Sequence, residues 1–292
     1  MLSYPIVKQK MNTRQAVIIW QLLQLALLTS AAVQMQDGRY SGLQVAVASK
    51  TIEPLDGLKF IADVQNFIHA GSELLNYAMD KRVSINDFTL MIPRTWNASN
   101  FGSVVRASDD TTIKTADILL HDAADELPET LQAELCGVPG RQVSVPLFFL
   151  SLSEEEQKQF GSPGKIFAHE WAHYRWGVHD EHGFGGDDVY SSTYGNYQTA
   201  MCIAGTTNGT TKRDCSTTDI CEPGSSGCYF CFGEDETADQ VQASLSYMPA
   251  LSTGKFCDAA THVRNTPSPQ NVLCGGRSIM EVIQQHPDHL LQ

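Results

Sequence analysis

The sequence predicts an α+β fold in which a long helix, three strands and a second helix follow one another. The first helix covers residues 56–80, where apolar side chains recur at the spacing of one buried helix face. Three runs rich in β-forming residues come next: residues 83–96, 116–121 and 143–150. Pro146 in the third run indicates an edge strand or a bend. Ser162 and Pro163, a good N-cap followed by a first-turn proline, then open the second helix.

The second half of the chain has a different composition, which predicts loops held by disulfides. Residues 183–233 are rich in Gly, Ser, Thr and Asn. All eight cysteines lie after the N-terminal apolar segment: Cys136, Cys202, Cys215, Cys221, Cys228, Cys231, Cys257 and Cys274. An even number in a secreted chain predicts disulfides but does not select their pairing. The CxxC pair of Cys228 and Cys231 could instead bind zinc, although an oxidising compartment favours disulfides.

The two ends of the chain carry their own predictions. Three basic residues precede an apolar run over residues 16–28, and small residues follow it at 30–32. This pattern is typical of a secretory signal peptide over residues 1–32. A membrane anchor is the alternative, but two glutamines interrupt the run and it is shorter than the roughly 20 residues of a span. At the other end, a short helix is expected over residues 277–285. The final HPDHLLQ predicts no further helix or strand that would close the fold, as in a fragment.

Charge excludes one class of partner. The chain has a formal net charge of −13, and the predicted signal peptide contains three basic residues and no acidic one. The mature chain would therefore carry −16, which argues against a nucleic-acid partner because phosphate binding needs a basic face. We expect a secreted, extracellular protein without a transmembrane span. The sequons at Asn97 and Asn208 fit a glycosylated surface.

Residues His169, Glu170 and His173 form an HExxH motif on the second helix. Side chains four residues apart share one helix face, so the two imidazoles can reach one metal ion. Glu170 follows the first histidine and is placed to accept a proton from a zinc-bound water rather than to bind the metal. The motif predicts a zinc hydrolase of the zincin class, with His169 and His173 as metal ligands and Glu170 as the catalytic base.

The third ligand has three candidates: His179, Asp180 and Glu181. If the helix continued to residue 180, Asp180 would lie about 10 Å beyond His173, so the helix must end first. Gly177 is the expected stop. In the metzincin pattern HExxHxxGxxH the last ligand comes three residues after the glycine, which here selects Asp180. Counting from the second histidine selects His179 instead. We favour Asp180, with His179 as the main alternative and Glu181 behind it.

Several motifs together are similar to those of the calcium-activated chloride channel regulator (CLCA) family. They are HEWAHYRWGVHDE at 169–181, IPRTW at 92–96, KFCDAATH at 255–262 and PSPQNVLCGGRSIMEVI at 267–283. The resemblance covers most of residues 40–290. It implies a secreted or surface-associated zinc endopeptidase domain of metzincin-like fold, with His169, His173 and Asp180 as ligands and Glu170 as catalytic carboxylate. It also implies a cysteine-rich segment after the catalytic domain.

Two departures from the family pattern are visible. His179 stands where the family has an aromatic residue, and the chain ends where the family continues into a von Willebrand factor A domain. Met248 is a candidate for the apolar floor beneath the metal, and an ordinary core methionine is the equal alternative. Asp187 and Asp188 are candidates for calcium by charge alone.

We therefore expect three parts: a signal peptide over 1–32, a zincin-like catalytic domain over 33–200, and a cysteine-rich segment over 201–292 that completes it. The predicted function is that of a zinc metalloendopeptidase acting on a protein or peptide substrate, self-cleaving in longer forms. The alternative is a non-catalytic extracellular modulator of a chloride channel at the cell surface, with zinc in a structural role.

Overall fold

The computed structural model describes residues 33–102, 106–183, 189–191, 197–199, 202–204, 209–213, 217–222, 229–232, 242–247, 254–264 and 266–290. The predicted calcium candidates Asp187 and Asp188, the sequon residue Asn208 and the candidate floor residue Met248 lie outside these ranges. So does the predicted signal peptide. No helix in the described ranges has both the length and the hydropathy of a membrane span.

The strands are, in chain order, β1 Gln34–Gln36, β2 Arg39–Ser41, β3 Leu43–Val47, β4 Ser84–Ile85, β5 Phe88–Pro93, β6 Arg106–Ser108, β7 Ile118–His121, β8 Glu129–Leu131, β9 Gln142–Pro146, β10 Val189–Ser191, β11 Tyr197–Thr199, β12 Ile203–Ala204, β13 Gly209–Lys212, β14 Tyr229–Phe232 and β15 Gln242–Ala243. The α-helices are α1 Gly57–Ala78, α2 Asp110–Thr115, α3 Glu154–Phe160, α4 Pro163–Trp176, α5 Pro269–Cys274, α6 Ile279–Ile283 and α7 Pro287–Leu290. Two short 3-10 helices cover Ala98–Phe101 and Leu147–Leu150.

A six-stranded sheet in the order β6-β5-β3-β7-β9-β8 forms the centre of the fold. Its first five strands are parallel, and β8 pairs antiparallel with β9 at one edge. Strand β3 is buried along most of its length, as expected for a parallel strand covered on both faces. This mixed α/β architecture with disulfides is compatible with the predicted α+β class.

The two long helices α1 and α4 pack closely against each other. A Cβ atom on Gly71 of α1 would lie 2.2 Å from the Phe167 ring of α4, and one on Gly164 would lie 2.8 Å from the Ala70 carbonyl oxygen. Glycine at these two positions therefore allows the helix backbones to approach. The Phe67 and Phe167 rings meet edge to face at 5.5 Å across the same contact.

The structure confirms the predicted helices and corrects several strands. Strands β1 to β3 precede α1, whereas the sequence pattern placed the helix first. The run over 83–96 divides into β4 and β5, because Asn86 and Asp87 interrupt it and the two strands join different sheets. Strand β9 is not at an edge but lies between β7 and β8, and Pro146 ends it before a 3-10 helix.

Helix α4 begins and ends where its sequence signals place it. The Ser162 side chain accepts a hydrogen bond from the Lys165 backbone N–H, and Pro163 occupies the first turn. Gly177 ends the helix in the left-handed conformation, with φ 60° and ψ 34°. A Cβ there would also lie 2.3 Å from the Val138 carbonyl oxygen. Backbone conformation and packing thus both require glycine.

Residues 287–290 form a helix, contrary to the expectation that HPDHLLQ adds no further element. Helix α7 carries Asp288, which is buried and forms a two-bond ion pair with Arg175 of α4 at 2.6 and 2.8 Å. Tyr40 of β2 donates a third hydrogen bond to Asp288 at 2.8 Å. The pattern did not predict this contact because the partners are far apart in sequence.

Disulfides are present in the described chain, as predicted. Cys136 is bonded to Cys274, and Cys202 is bonded to Cys257. Cys221 and Cys231 are also disulfide-bonded. Among the cysteines in the described ranges none is free.

Candidate metal centre

Helix α4 presents its two motif histidines to one point, and the following turn adds a carboxylate. The Nε2 atoms of His169 and His173 lie 3.1 Å apart. Oδ1 of Asp180 is 3.4 Å from the first nitrogen and 3.2 Å from the second. Because Gly177 reverses the chain, Asp180 returns to the helix face that carries both histidines.

Hydrogen bonds fix the orientation of both imidazoles. Nδ1 of His169 donates to the Leu245 carbonyl oxygen at 2.8 Å, and Nδ1 of His173 donates to the Val178 carbonyl oxygen at 2.7 Å. With a proton on Nδ1 of each ring, the Nε2 atoms face the Asp180 carboxylate and are the atoms that a metal ion would bind. Backbone carbonyls in this role are the usual outer partners of metal-binding histidines.

The electrostatics of the three groups also fit a cation site. Burial alone would lower the pKa of His173, but the Asp180 carboxylate outweighs it and raises that pKa to about 9. Burial would raise the pKa of Asp180, yet the histidines hold it far below its usual range. Oδ1 of Asp180 is buried and accepts no hydrogen bond of normal geometry from the described residues. Two nitrogen lone pairs and an unsatisfied carboxylate oxygen form a donor set suited to zinc.

The other two candidates for the third ligand point elsewhere. Nδ1 of His179 contacts the Gln132 side chain, and its backbone N–H donates to Gln270 Oε1 at 2.8 Å. Burial lowers the pKa of His179, which keeps the ring neutral. Glu181 is fully buried on the far side of the loop, with Oε1 3.5 Å from Nδ1 of His262. Burial raises the pKa of Glu181, and the neighbouring His262 and Ser244 offset only part of that rise.

Glu170 lies beside the three converging side chains rather than among them. Its Oε1 is 3.8 Å from Nε2 of His169. The Thr130 hydroxyl of β8 donates to its Oε2 at 2.7 Å and also approaches the Glu170 carbonyl oxygen at 3.0 Å. The side chain is buried, so this hydroxyl fixes the direction of the carboxylate.

A cleft of about 380 Å³ opens over these residues. Residues of the β8 region form one wall: Leu127, Pro128, Glu129, Thr130 and Gln132. His182 forms part of the opposite side, with Nε2 3.5 Å from Oδ2 of Asp180. The sequence pattern predicts a role for neither Thr130 nor His182, because β8 has only three residues and no motif marks either position.

The chain is thus a mixed α/β domain with a histidine–carboxylate centre at the base of a cleft. Residues 33–291 match the family model described as "Calcium-activated chloride channel N terminal". The match covers far more than half of the chain, and the chain belongs to this family, CLCA.

The relatives agree with this assignment. Calcium-activated chloride channel regulator 2 of Mus musculus is 29% identical over 301 residues, covering 97% of this chain and 29% of the relative. Regulator 2 of Homo sapiens is 30% identical, covering 88% of this chain and 27% of the relative. Regulator 1 of Homo sapiens is 28% identical, covering 93% of this chain and 30% of the relative. The chain therefore spans less than a third of the length of these relatives. No solved structure matches the chain.

Proposed function

We propose that this chain forms a zincin-like, zinc-dependent endopeptidase domain. One observation carries the proposal: His169, His173 and Asp180 converge within 3.4 Å, and Glu170 stands beside them without joining the donor set. A purely structural zinc site is normally closed by four protein ligands, whereas a catalytic site has three and an open position. The cleft above the three residues supplies the open side.

The roles of the side chains follow from their positions. His169, His173 and Asp180 would hold the metal. Bound zinc supplies a Lewis acid for the scissile carbonyl and lowers the pKa of a water molecule. Glu170 would act as the general base, taking up a proton at its carboxylate and passing it to the leaving amine. Thr130 keeps the Glu170 carboxylate directed into the cleft through the hydrogen bond to Oε2.

Strand β8 offers a means of binding an extended peptide. Within the described sheet it pairs only with β9, so its other edge has backbone groups available for a further strand. Glu129 and Leu131 are exposed on this strand, while Thr130 between them points to Glu170. A peptide paired with β8 would therefore pass close to the proposed catalytic base. This geometry favours a protein or peptide substrate.

The substitution Glu170→Gln tests the proposal. The variant should bind zinc with unchanged stoichiometry and lose peptide cleavage, because the amide keeps the shape of the side chain but cannot accept the proton. Metal content by atomic absorption and cleavage of a peptide library provide the two readouts. Glu154→Gln, at an exposed position on α3, is the matched control and should keep both properties. Full cleavage by the Glu170→Gln variant would refute the assignment.

A non-catalytic extracellular modulator of a chloride channel is the second candidate. The names of the relatives describe those proteins as channel regulators. His182 favours a structural zinc, because its position beside Asp180 could allow it to close the site as a fourth ligand. In that case the Glu170→Gln variant would modulate channel currents as the parent chain does. Removal of zinc would abolish this modulation. The parent chain would cleave no peptide.

A further inference from the structure

A second cluster of metal-ligating side chains lies on the other side of the loop that carries Asp180. An oxygen of Glu181 and the Sγ atoms of Cys202 and Cys257 lie within 4.8 Å of one another. Nδ1 of His262 is 3.5 Å from Oε1 of Glu181 and 3.8 Å from Sγ of Cys257. Glu181 and both cysteines are buried, and the His262 side chain is only 2% exposed.

The orientation of His262 is fixed by Asn271. The Asn271 amide nitrogen donates to the carbonyl oxygens of Val263 and Thr266, both at 2.9 Å, so the Asn271 Oδ1 atom is left as an acceptor. Nε2 of His262 donates to that oxygen at 2.7 Å. In the neutral ring the Nδ1 lone pair therefore faces Glu181 and Cys257, the direction that a metal ligand needs.

Nδ1 of His262 lies 3.5 Å from Oε1 of Glu181, but the Glu181 carboxylate is not fully hydrogen-bonded. Neither oxygen accepts a hydrogen bond of normal geometry from the residues that the structure describes. Burying a carboxylate is costly unless it is paired, hydrogen-bonded or bound to a metal. The Glu181 carboxylate thus faces other potential metal ligands while its own hydrogen-bonding capacity is unfilled.

We propose that, when the Cys202–Cys257 disulfide is reduced, Glu181, Cys202, Cys257 and His262 bind a zinc ion. A dithiol supplies the two electrons that break the sulfur–sulfur bond and is itself oxidised to a disulfide. Each cysteine sulfur takes up one proton. Zinc then displaces these two protons and binds the thiolates.

Two of the distances between the ligand atoms already suit a tetrahedral ion. Bonds of about 2.0 Å to nitrogen and oxygen and 2.3 Å to sulfur give edges of roughly 3.3 to 3.8 Å between ligands. The separations of His262 Nδ1 from Glu181 Oε1 and from Cys257 Sγ are 3.5 and 3.8 Å. The two sulfur atoms must also move apart, and reduction of the disulfide permits that movement.

The Cys136–Cys274 disulfide gives an internal control. Sγ of Cys136 lies 3.3 Å from the Arg277 guanidinium, so the Cys136–Cys274 pair has a cation beside it rather than a carboxylate. Reduction exposes the same number of thiols there, but a neighbouring arginine disfavours a zinc ion. The two disulfides are therefore expected to respond differently to the metal.

The test treats the whole chain with dithiothreitol, removes the reductant under nitrogen, and adds Zn²⁺ before alkylation with iodoacetamide. Mass spectrometry then measures the alkylation rate of each cysteine. Zinc should slow the alkylation of Cys202 and Cys257 at least roughly tenfold, because a metal-bound thiolate is not free to attack the reagent. The rates at Cys136 and Cys274 should not change.

Three variants separate this site from the centre on α4. Glu181→Gln and His262→Phe should each lose the protection of Cys202 and Cys257, since each removes one ligand. His169→Ala, which removes a ligand of the other centre, should keep it. Equal alkylation rates with and without zinc in the parent chain would overturn the proposal even if a variant fails to fold. Protection that disappears in His169→Ala would also overturn it, by assigning the effect to the first metal.

Discussion

Asp180 and His179 are neighbours in the chain, but only Asp180 faces the two histidines of α4. The turn at Gly177 directs successive side chains to different sides of the loop. His179 is held away by Gln132 and Gln270, and Glu181 enters the separate cluster with His262. One residue of register in this loop therefore decides which side chain can complete the centre.

At this scale we predict that Asp180→Ala lowers the affinity for zinc and that His179→Phe does not. Asp180→Ala should lower zinc affinity by more than the roughly 10- to 100-fold that loss of an outer partner costs. His179→Phe should leave affinity and peptide cleavage nearly unchanged. Competition with a chromogenic chelator measures both affinities. Loss of zinc from His179→Phe, with retention in Asp180→Ala, would show that the ligand count from His173 was the correct one.

At the scale of the secondary-structure elements, helix α4 and strand β8 form the site together. The helix supplies both histidines and Glu170, and the strand supplies the hydroxyl that orients Glu170. The close contact between the Gly177 turn and Val138, in the loop after β8, connects the two elements directly. The Gly177 turn therefore both reverses the chain and packs against the loop after β8.

We predict that Gly177→Ala destabilises the fold and weakens metal binding together. A left-handed alanine costs about 1–2 kcal/mol, and the Cβ clash with Val138 adds to this cost. Gly275→Ala is a matched control, because Gly275 also ends a helix with φ 65° but has no atom near its Cβ position. Urea unfolding should show a larger loss for Gly177→Ala than for Gly275→Ala. Equal losses would show that the contact with Val138 contributes nothing.

At the scale of the whole molecule, helix α7 joins the first strands to helix α4, which carries the candidate centre. Asp288 binds Arg175 of α4 with two hydrogen bonds and accepts a third from Tyr40 of β2. Arg175 also donates to the Val33 carbonyl oxygen at 3.1 Å. These buried side chains link segments that are distant in sequence. One of them, Arg175, lies on the same helix as the candidate centre.

We predict that Asp288→Asn destabilises the fold by about 3–5 kcal/mol at neutral pH, because Arg175 would be left buried without its counter-charge. Burial raises the pKa of Asp288, but Arg175 outweighs it and lowers that pKa below its usual value. The contribution is therefore fully present above the unfolded pKa of about 3.9 and is lost as the pH falls through the lower folded value.

Urea unfolding of the parent and variant chains across this pH range measures the difference. The difference in unfolding free energy between parent and variant should be largest near neutral pH and should decrease in acid. Glu155→Gln, which breaks an exposed ion pair with Lys158, is the control and should cost less than about 1 kcal/mol. A difference between parent and Asp288→Asn that grows as the pH falls would contradict the assigned ion pair.

Local sequence signals were sufficient for features set by neighbours in the chain. The limits of α4 follow from Ser162, Pro163 and Gly177, and the spacing of His169 and His173 places both on one face. The convergence with Asp180 needed only one further inference, the turn at Gly177. The presence of disulfides followed from the cysteine count, although their pairing did not. The metal itself and the catalytic role of Glu170 remain predictions.

The tertiary structure decided everything that depends on contacts between distant segments. Sheet order placed β8 beside α4, which brought Thr130 to Glu170, and the chain path brought Asp288 to Arg175. The pairing of Glu181 with His262 is of the same kind. Periodicity and capping report interactions between residues that are close together in the sequence, and such interactions can be recognised from the local pattern. A contact between distant residues exists only after the whole backbone has packed, so no local pattern encodes it.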